Sequence, residues 1–503
     1  MASQERLLNA LSVEHLQTDL KGRSVRGGVL SLAAQGAQFA LQFTSTVVLA
    51  RLLTTADFGL VAMVTAITAM AAGFADLGLT EATIQRKDIT HEQVSTLFWI
   101  NVSLGLFLTL LTAALAPVLV WFYKEPRLLD ITLVVSATFL IGGLRGQHNA
   151  LLKRQMRFLA VAIRDVTAYA IAVPVSIWLA LHGAKYWAIV ALPLTLNLAQ
   201  LVMTWLMVDW RPGLPHRGDN VRSMVGFGGN VAASYVIINW VRNADNILIG
   251  WYWGAAPLGL YSRAYNLLMQ FVTQLCAPIA SVAIPAFSRI HEDRELFARY
   301  YLRVVNLIMW VSAPLFAFLF VAAKPAIILA LGEKWRDAVP VFQILTISAL
   351  GQILLETTLW LFVSRGQSSR LLKLMLIISP VIVGSFVIGL PFNIKGVAIS
   401  LTAVLLISLP WILHFTFRGT NVTLLRLGRA LGCPVSLCLA GVLFAEIAKR
   451  LFVVQRNISQ LLILALGFSA AYLLSTALPR VRQEFVSLTK LLKDLRPAGG
   501  LRA

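Results

Sequence analysis

Charged residues are scarce in this chain, and acidic residues are the scarcer kind. Only 13% of the 503 residues are charged, and 43 Lys and Arg stand against 23 Asp and Glu, which gives a formal net charge of +20. Apolar residues make up 58%, and the mean hydropathy is +0.76. Because a soluble chain of this length does not need so much apolar sequence, the composition indicates a polytopic membrane protein. Basic loops on the cytoplasmic side explain the positive charge better than nucleic acid as a partner.

The residues that build metal centres, disulfides and nucleotide sites are few and scattered. The seven histidines show no metal-ligand spacing, and the three cysteines lie in apolar segments, where they are typical of small core residues. The glycine-rich residues 226–229 lack the strand and the spacing of a nucleotide loop. The longest loop has little room for a catalytic domain. We therefore predict no metal, no cofactor and no enzymatic activity.

Apolar segments follow one another from residue 29 onward, each close to the ~20 residues needed to cross a bilayer. The preceding arm, residues 1–28, is polar, so no cleavable signal peptide is predicted. About fourteen spans are predicted, centred near residues 40, 70, 108, 140, 171, 197, 238, 271, 311, 350, 381, 405, 438 and 468. Most Lys and Arg fall in loops on the side of the two termini, so we expect both termini in the cytoplasm.

A short internal repeat divides the chain. The sequence ADFGL at 56–60 follows the first span, and APLGL at 256–260 follows the seventh. Six spans separate the copies, so both have the same orientation, which predicts a pseudo-two-fold axis along the membrane normal. We expect an all-α fold of two pseudo-symmetric six-helix lobes with two extra C-terminal helices. The predicted parts are an arm at 1–28, lobes at 29–210 and 211–420, two spans at 421–479, and a basic amphipathic cytoplasmic tail at 480–503.

Polar residues recur along one face of several predicted spans. They form stripes at helical spacing: Asn239, Arg242 and Asn246; Arg263, Asn266, Gln270 and Gln274; and a third stripe that includes Gln38 and Gln42. An arginine facing lipid costs about 3 kcal/mol on insertion scales, so the stripes indicate a shared polar interior. Hydrogen bonding between helices is the alternative for the glutamines, and a simple ion pair is the alternative for Arg242 with Asp245.

Further ionisable residues fall inside the spans. Arg145, followed by Gln147, His148 and Asn149, indicates the cytoplasmic mouth of the first lobe. Two carboxylates, Asp76 and Glu356, join Asp245 as candidates for a coupling proton or cation, or as partners that balance an arginine.

Several segments together resemble one family of transporters. They are LARLLTTADFGLVAM at 49–63, FADLGLTEATIQR at 74–86, STLFWIN at 95–101, LLKRQMRF at 151–158, NADNILIGWYWGAAPLGLYSRAYNLL at 243–268 and PAFSRI at 285–290. As a set they resemble the polysaccharide-transporter branch of the multidrug/oligosaccharidyl-lipid/polysaccharide (MOP) flippase superfamily, in particular bacterial exopolysaccharide exporters of the colanic-acid type.

That resemblance implies a flippase of the bacterial inner membrane. Its cargo would be an undecaprenyl-diphosphate-linked oligosaccharide, which moves between two lobes from the cytoplasmic to the periplasmic leaflet. Its partners would be the surrounding membrane lipid and a polymerase and a copolymerase of the same pathway. Arginines suit a diphosphate, so Arg242 and Arg263 are the predicted ligands, helped by Arg145 or Arg26. The alternatives are a murein-precursor flippase, a multidrug antiporter of the same superfamily, and a membrane-embedded polymerase or glycosyltransferase.

Overall fold

The computed structural model describes residues 20–74, 78–85, 89–216, 239–452, 454, 456–475 and 481, without the side chains of residues 20–29, 31, 32, 82 and 85. Throughout these ranges the regular structure is helical. The described residues divide into two compact units, with the boundary between Gly259 and Leu260. This division does not test the domain boundaries that the sequence predicts at residues 210, 420 and 479, so these boundaries stay predictions.

Among the residues that the structure describes, eight helices lie wholly in the first unit. They are α1 (Leu20–Leu52), α2 (Thr55–Ala72), α3 (Leu79–Gln85), α4 (His91–Tyr123), α5 (Leu128–Arg154), α6 (Phe158–Leu181), α7 (Tyr186–Met207) and α8, described over 239–253. Helix α5 packs on both α4 and α7, and α6 packs on α7 and α1. Capping boxes start two of these helices: Thr54 with Asp57 at α2, and Thr90 with Gln93 at α4.

Helix α9 (Ala255–Ile290) crosses the boundary between Gly259 and Leu260. The second unit continues with α10 (Arg294–Val321), α11 (Ala323–Leu331), α12 (Ala338–Ser364), α13 (Ser368–Gly389), α14 (Asn393–Phe417), α15 (Leu424–Leu451) and α16 (Asn457–Ser475). Here α12 packs on α10 and α14, and α13 packs on α14. The first unit has the same pattern of packing: α12 corresponds to α5, α10 to α4, α14 to α7 and α13 to α6. Helices α15 and α16 pack on each other, and α15 also packs on α10.

The repeat extends to the turns. Met156, between α5 and α6, has φ 52°, and Gly366, between α12 and α13, has φ 63°. Lys185, directly before α7, and Asn393, the first residue of α14, also have positive φ. A non-glycine residue with positive φ is uncommon, so its recurrence at equivalent places shows that these helices are linked alike in both units.

The helices are long and apolar enough to cross a membrane. Within the described ranges, eleven helical stretches meet this criterion by length and composition, and one of them, Ser368–Phe417, contains both α13 and α14. All predicted span centres lie in helices except residue 238, which is outside the described residues. The multi-pass all-α fold is therefore confirmed, and the total of fourteen spans stays a prediction.

Glycines allow α4 and α5 to make a close helix contact in the first unit. A methyl group added to Gly143 on α5 would lie 2.5 Å from the carbonyl oxygen of Asn101 on α4, and one added to Gly105 would lie 2.7 Å from the carbonyl oxygen of Phe139. Backbones that approach so closely are typical of small residues at membrane helix interfaces. This contact fixes α5, which carries Arg145, against α4.

A substitution at Gly143 tests this contact. Gly143→Ala should lower the stability of the purified protein by roughly 1–3 kcal/mol, because the added methyl meets backbone that cannot rotate away. The control is its neighbour, Gly142→Ala, where nothing lies within 4 Å of the added carbon. The measurement is thermal unfolding in detergent, and equal melting temperatures for the two variants would contradict the predicted contact.

Candidate functional site

Five polar side chains of α5, α6 and α7 form one hydrogen-bonded group, which we call the arginine network: Arg145, Asn149, Arg164, Asp165 and Gln200. One carboxylate oxygen of Asp165 accepts bonds from Arg164 Nε at 2.8 Å, Arg164 Nη2 at 2.7 Å and Gln200 Nε2 at 3.0 Å. Arg164 Nη1 donates to the side-chain oxygen of Asn149 at 2.6 Å. Three helices are thus joined by charge-assisted bonds inside an apolar bundle.

The two arginines of this network differ in their partners. Arg164 is 5% exposed and is held by a carboxylate and an amide. Arg145 is half-buried, and its bond within the described part of the chain goes from Nη1 to the neutral Oε1 of Gln200. Two guanidinium groups therefore share one carboxylate, and the surplus positive charge lies with Arg145. A surplus charge within a membrane helix bundle favours an anion or water beside it.

The sequence reasoning found Arg145 and missed Arg164, Asp165 and Gln200. Arg164 lies in the second turn of α6, close to the basic residues before this helix, so the sequence did not distinguish it from a loop residue. One feature of the sequence could have indicated the arginine network: Arg145 and Asn149 lie four residues apart, on one face of α5.

Gln147 and His148, which the sequence places beside Arg145 at a predicted cytoplasmic mouth, lie in the core of the described structure. Both are 0% exposed. Gln147 accepts a hydrogen bond from Thr83 at 2.7 Å, and the His148 ring stacks on Trp205 with centroids 4.3 Å apart. Phe98 and Trp210 also lie against the His148 ring, so an aromatic cluster encloses this histidine.

The stripe on α8 contains both exposed and buried residues. Arg242 is exposed, Asn239 is half-buried, and Asp245 and Asn246 are 2% and 9% exposed. Asp245 accepts a bond from the backbone nitrogen of Asn246 at 2.7 Å, and the carbonyl of Asn239 accepts one from Asn243 at 2.9 Å. The buried carboxylate of Asp245 thus lies one turn from the exposed guanidinium of Arg242.

Helix α9 carries the second stripe. Arg263 is half-buried with its Nε shielded from solvent, Asn266 is exposed, and Gln270 and Gln274 are half-buried. The Nε2 of Gln270 is enclosed and has no hydrogen-bond partner among the described residues. An enclosed donor of this kind is normally satisfied by water or by a ligand.

The remaining predicted residues are distributed over α1, α2 and α12. Gln38 is half-buried and Gln42 is exposed on α1, and Glu356 is half-buried on α12. Asp76 and the side chain of Arg26 lie outside the described residues. Within the described ranges, no group of three or more His, Cys, Asp or Glu is arranged to hold a metal ion.

The described helices, eleven stretches of which are long and apolar enough to cross a membrane, form the bundle of a multi-pass membrane protein. The family model described as "Polysaccharide biosynthesis protein" matches residues 48–340, more than half of the chain. The chain therefore belongs to this family.

Curated relatives carry names from polysaccharide synthesis. The chain is 27% identical over 298 residues to the teichuronic acid biosynthesis protein TuaB of Bacillus subtilis, which covers 58% of this chain and 61% of TuaB. It is 25% identical to the lipopolysaccharide biosynthesis protein WzxC of Escherichia coli, over 66% of this chain and 68% of WzxC. It is also 23% identical to the succinoglycan biosynthesis transport protein ExoT of Rhizobium meliloti, over 63% of this chain and 64% of ExoT. The match to TuaB thus spans less than two thirds of that relative's length.

The fold is that of a solved flippase. The structure of the lipid II flippase MurJ in its inward closed conformation superposes with a TM-score of 0.73 at 11% identity, covering 89% of this chain and 99% of MurJ. At that identity the likeness shows the fold alone.

Proposed function

We propose that the protein is a flippase that moves an undecaprenyl-diphosphate-linked oligosaccharide repeat unit from the cytoplasmic to the periplasmic leaflet of the bacterial inner membrane. Its place is before polymerisation, next to a polymerase and a copolymerase of the same exopolysaccharide pathway. The family, and relatives named for three different polysaccharides, support this class of cargo. With both termini in the cytoplasm, the inner loops carry most of the Lys and Arg residues.

The observation that carries the proposal is the surplus positive charge at Arg145. A diphosphate offers the paired oxygens that fit a guanidinium fork, and two such bonds fix its orientation. Arg145 meets a neutral amide in the described structure, so its charge is free to bind an incoming anion. Arg164 has a structural role, because its guanidinium already donates hydrogen bonds to Asp165 and Asn149.

Asp165 and Gln200 then act as positioning residues. Gln200 donates to Asp165 through its amide nitrogen, which orients its oxygen toward Arg145. A guanidinium held in place before the cargo arrives loses less side-chain entropy when it binds. The bond to an amide also keeps Arg145 away from the carboxylate, which would otherwise compete with the diphosphate.

The other predicted residues have roles along the same path. Arg242, Arg263 and Arg26 are additional phosphate ligands. The sugar hydroxyls meet the amides of Gln38, Gln42, Asn239, Asn246, Asn266, Gln270 and Gln274, and the enclosed, unpartnered Nε2 of Gln270 is the strongest of these candidates. Asp245, Asp76 and Glu356 are candidates for proton or cation coupling. The membrane potential alone also favours outward movement of an anion, by ~2.3 kcal/mol per charge per 100 mV.

Replacing Arg242 and Arg263, the predicted cargo ligands outside the arginine network, tests whether the cargo path extends to α8 and α9. The double variant Arg242→Ala, Arg263→Ala should abolish polymer output in a strain that lacks its own exporter, while the protein stays in the membrane, because the diphosphate loses two cationic ligands. Output and membrane protein are measured in the same cells. Full polymer output from the double variant would show that neither Arg242 nor Arg263 is needed to bind the cargo.

Reconstitution tests the function itself. Liposomes with the purified protein should carry a labelled undecaprenyl-diphosphate oligosaccharide across the bilayer, whereas protein-free liposomes should not. The same oligosaccharide on undecaprenyl monophosphate is the matched control, with the same tail and sugar and without the second phosphate. No transfer above the protein-free level would refute the proposal.

A murein-precursor flippase is the second candidate, favoured by the fold likeness to MurJ. Complementation of strains that lack either flippase separates the two, since the murein pathway is essential and the exopolysaccharide pathway is not. A multidrug antiporter is less compatible with the site, because its usual cationic cargo would be repelled by the surplus charge of the arginine network.

A further inference from the structure

Two arginines of the second unit, which we call the capping arginines, converge on the C-terminal end of α14. They are Arg365, in the turn after α12, and Arg370, in the first turn of α13. Arg370 donates from Nη2 to the carbonyl oxygen of Phe415 at 2.8 Å and from Nη1 to that of Arg418 at 3.1 Å. Arg365 donates from Nη1 to the same oxygen of Arg418 at 3.5 Å and from Nη2 to that of Gly419 at 3.1 Å. Two positive groups thus lie on either side of one neutral atom.

The charges of the capping arginines are not balanced by a carboxylate. In the part of the chain that the structure describes, their acceptors are main-chain carbonyls and the side-chain oxygen of Gln367. The dipole of α14 supplies only about half a negative charge at this end, against two full positive charges. Arg365 lies outside the stretches that are long and apolar enough to cross a membrane, and burial, together with the charges of Arg370 and Arg294, lowers its pKa. An anion between the capping arginines would offset this repulsion.

An exposed apolar strip on α14 leads away from the capping arginines. The Arg370 guanidinium lies 5.3 Å from the centre of the Phe415 ring, and this ring stacks on Trp411 with centroids 5.8 Å apart. Trp411 and Ile407 are both exposed, and they follow Phe415 at a spacing of four residues, so the three side chains share one face of the helix. A basic group at the end of such a strip on a membrane helix fits a lipid with an anionic head group.

We propose that the capping arginines bind the phosphate of an anionic phospholipid, with one acyl chain of that lipid along Phe415, Trp411 and Ile407. The predicted topology places this end of α14 at the cytoplasmic leaflet. A soluble phosphate would gain nothing from the apolar strip, which is why a membrane lipid is the favoured occupant. The site is built from the second unit alone, whereas the arginine network belongs to the first, so the proposal does not depend on the cargo. The rival interpretation is that the two arginines only cap α14.

Competition between two lipids, followed by native mass spectrometry, tests the proposal. The purified protein in a neutral detergent is mixed with equal amounts of phosphatidylglycerol and phosphatidylcholine that carry the same acyl chains. The first lipid bound to the parent should be phosphatidylglycerol, preferred by about tenfold, because its phosphate has no choline to neutralise it. The double variant Arg365→Gln, Arg370→Gln should bind the two lipids alike. The matched control is Arg426→Gln, which removes an exposed arginine that Glu295 already pairs, and it should keep the preference.

Two outcomes of this competition would overturn the proposal. Equal binding of the two lipids by the parent would show that the site has no preference for an anionic head group. An unchanged preference in the double variant would show that the capping arginines have only the structural role.

A single variant keeps the test decisive if the double variant fails to fold. Arg365→Gln leaves all three hydrogen bonds of Arg370 in place, so it should keep the melting temperature of the parent and lower the preference for phosphatidylglycerol about threefold. An unchanged preference in this folded variant would overturn the proposal.

Two competitors identify the source of the phosphate. Neither millimolar ammonium phosphate nor undecaprenyl diphosphate at the concentration of the phospholipid should displace phosphatidylglycerol from the parent. Displacement by ammonium phosphate would show a site for free phosphate, and displacement by undecaprenyl diphosphate would show a site for the cargo head group. Either result would overturn the assignment to a phospholipid and leave the proposed transport function intact.

Discussion

Arg145→Gln should lower transfer of undecaprenyl-diphosphate oligosaccharide by about a hundredfold, since a charge-assisted contact to phosphate contributes roughly 2–3 kcal/mol. Glutamine keeps a polar side chain next to Gln200 and removes the surplus charge of the arginine network. Arg145→Lys should fall between this variant and the parent, because lysine keeps the charge and loses the fork that grips two oxygens.

The control for this prediction is an arginine in a surface pair. Arg426 contacts Glu295 at 3.1 Å with both side chains nearly half exposed, so Arg426→Gln should change transfer and stability little, in line with the ~0–1 kcal/mol of such pairs. Initial transfer rates of the three variants and the parent are compared at equal protein per liposome. If the Arg145→Gln protein transferred at the rate of the Arg426→Gln protein, Arg145 would be excluded as a ligand.

Asp165→Asn should destabilise the protein by roughly 3–5 kcal/mol, the usual cost of removing one partner of a buried ion pair. Asp165 is the acceptor of Arg164 and Gln200, and the variant leaves two guanidinium groups near each other without a carboxylate. The measurement is thermal unfolding in detergent, together with the amount of protein in the membrane. The matched control is Glu446→Gln, whose ion pair with Lys449 is exposed.

The double variant Arg164→Gln, Asp165→Asn provides the decisive comparison. Removal of both charges should recover most of the stability that Asp165→Asn loses, because no uncompensated charge remains at Arg164. The single and double variants are unfolded side by side under the same conditions. If the double variant were as unstable as the single one, the network would not hold α6 by ion pairing, and the division of roles between Arg145 and Arg164 would lose its basis.

The sequence allowed the helices to be predicted because the length and apolarity of each segment decide them. Almost every span centre fell in a helix, since a backbone in lipid has no other way to satisfy its polar groups. The number of helices was harder to predict. Helices α13 and α14 are joined only by the short turn Leu390–Phe392, and α3 is a seven-residue helix without an apolar run in the sequence to indicate it.

The candidate site was only partly predictable. Arg145 stood out because a charge deep in an apolar segment needs an explanation. Its partners Arg164, Asp165 and Gln200 come from two other helices, and only the packing of α5, α6 and α7 brings them together. The repeat predicted a two-fold relation, and it did not predict that Gly59 and Gly259 lie against the opposite copy, because a spacing of small residues does not name the helix it contacts.

The most direct test of the account is the headgroup preference of the reconstituted protein and of its Arg145→Gln variant. Initial transfer rates are measured for one oligosaccharide on undecaprenyl diphosphate and for the same oligosaccharide on undecaprenyl monophosphate in the same liposomes. The account predicts that the parent strongly prefers the diphosphate and that Arg145→Gln loses most of that preference. Equal rates for the two lipids with the parent, or an unchanged preference in the variant, would contradict the claim that a surplus guanidinium charge recognises the cargo.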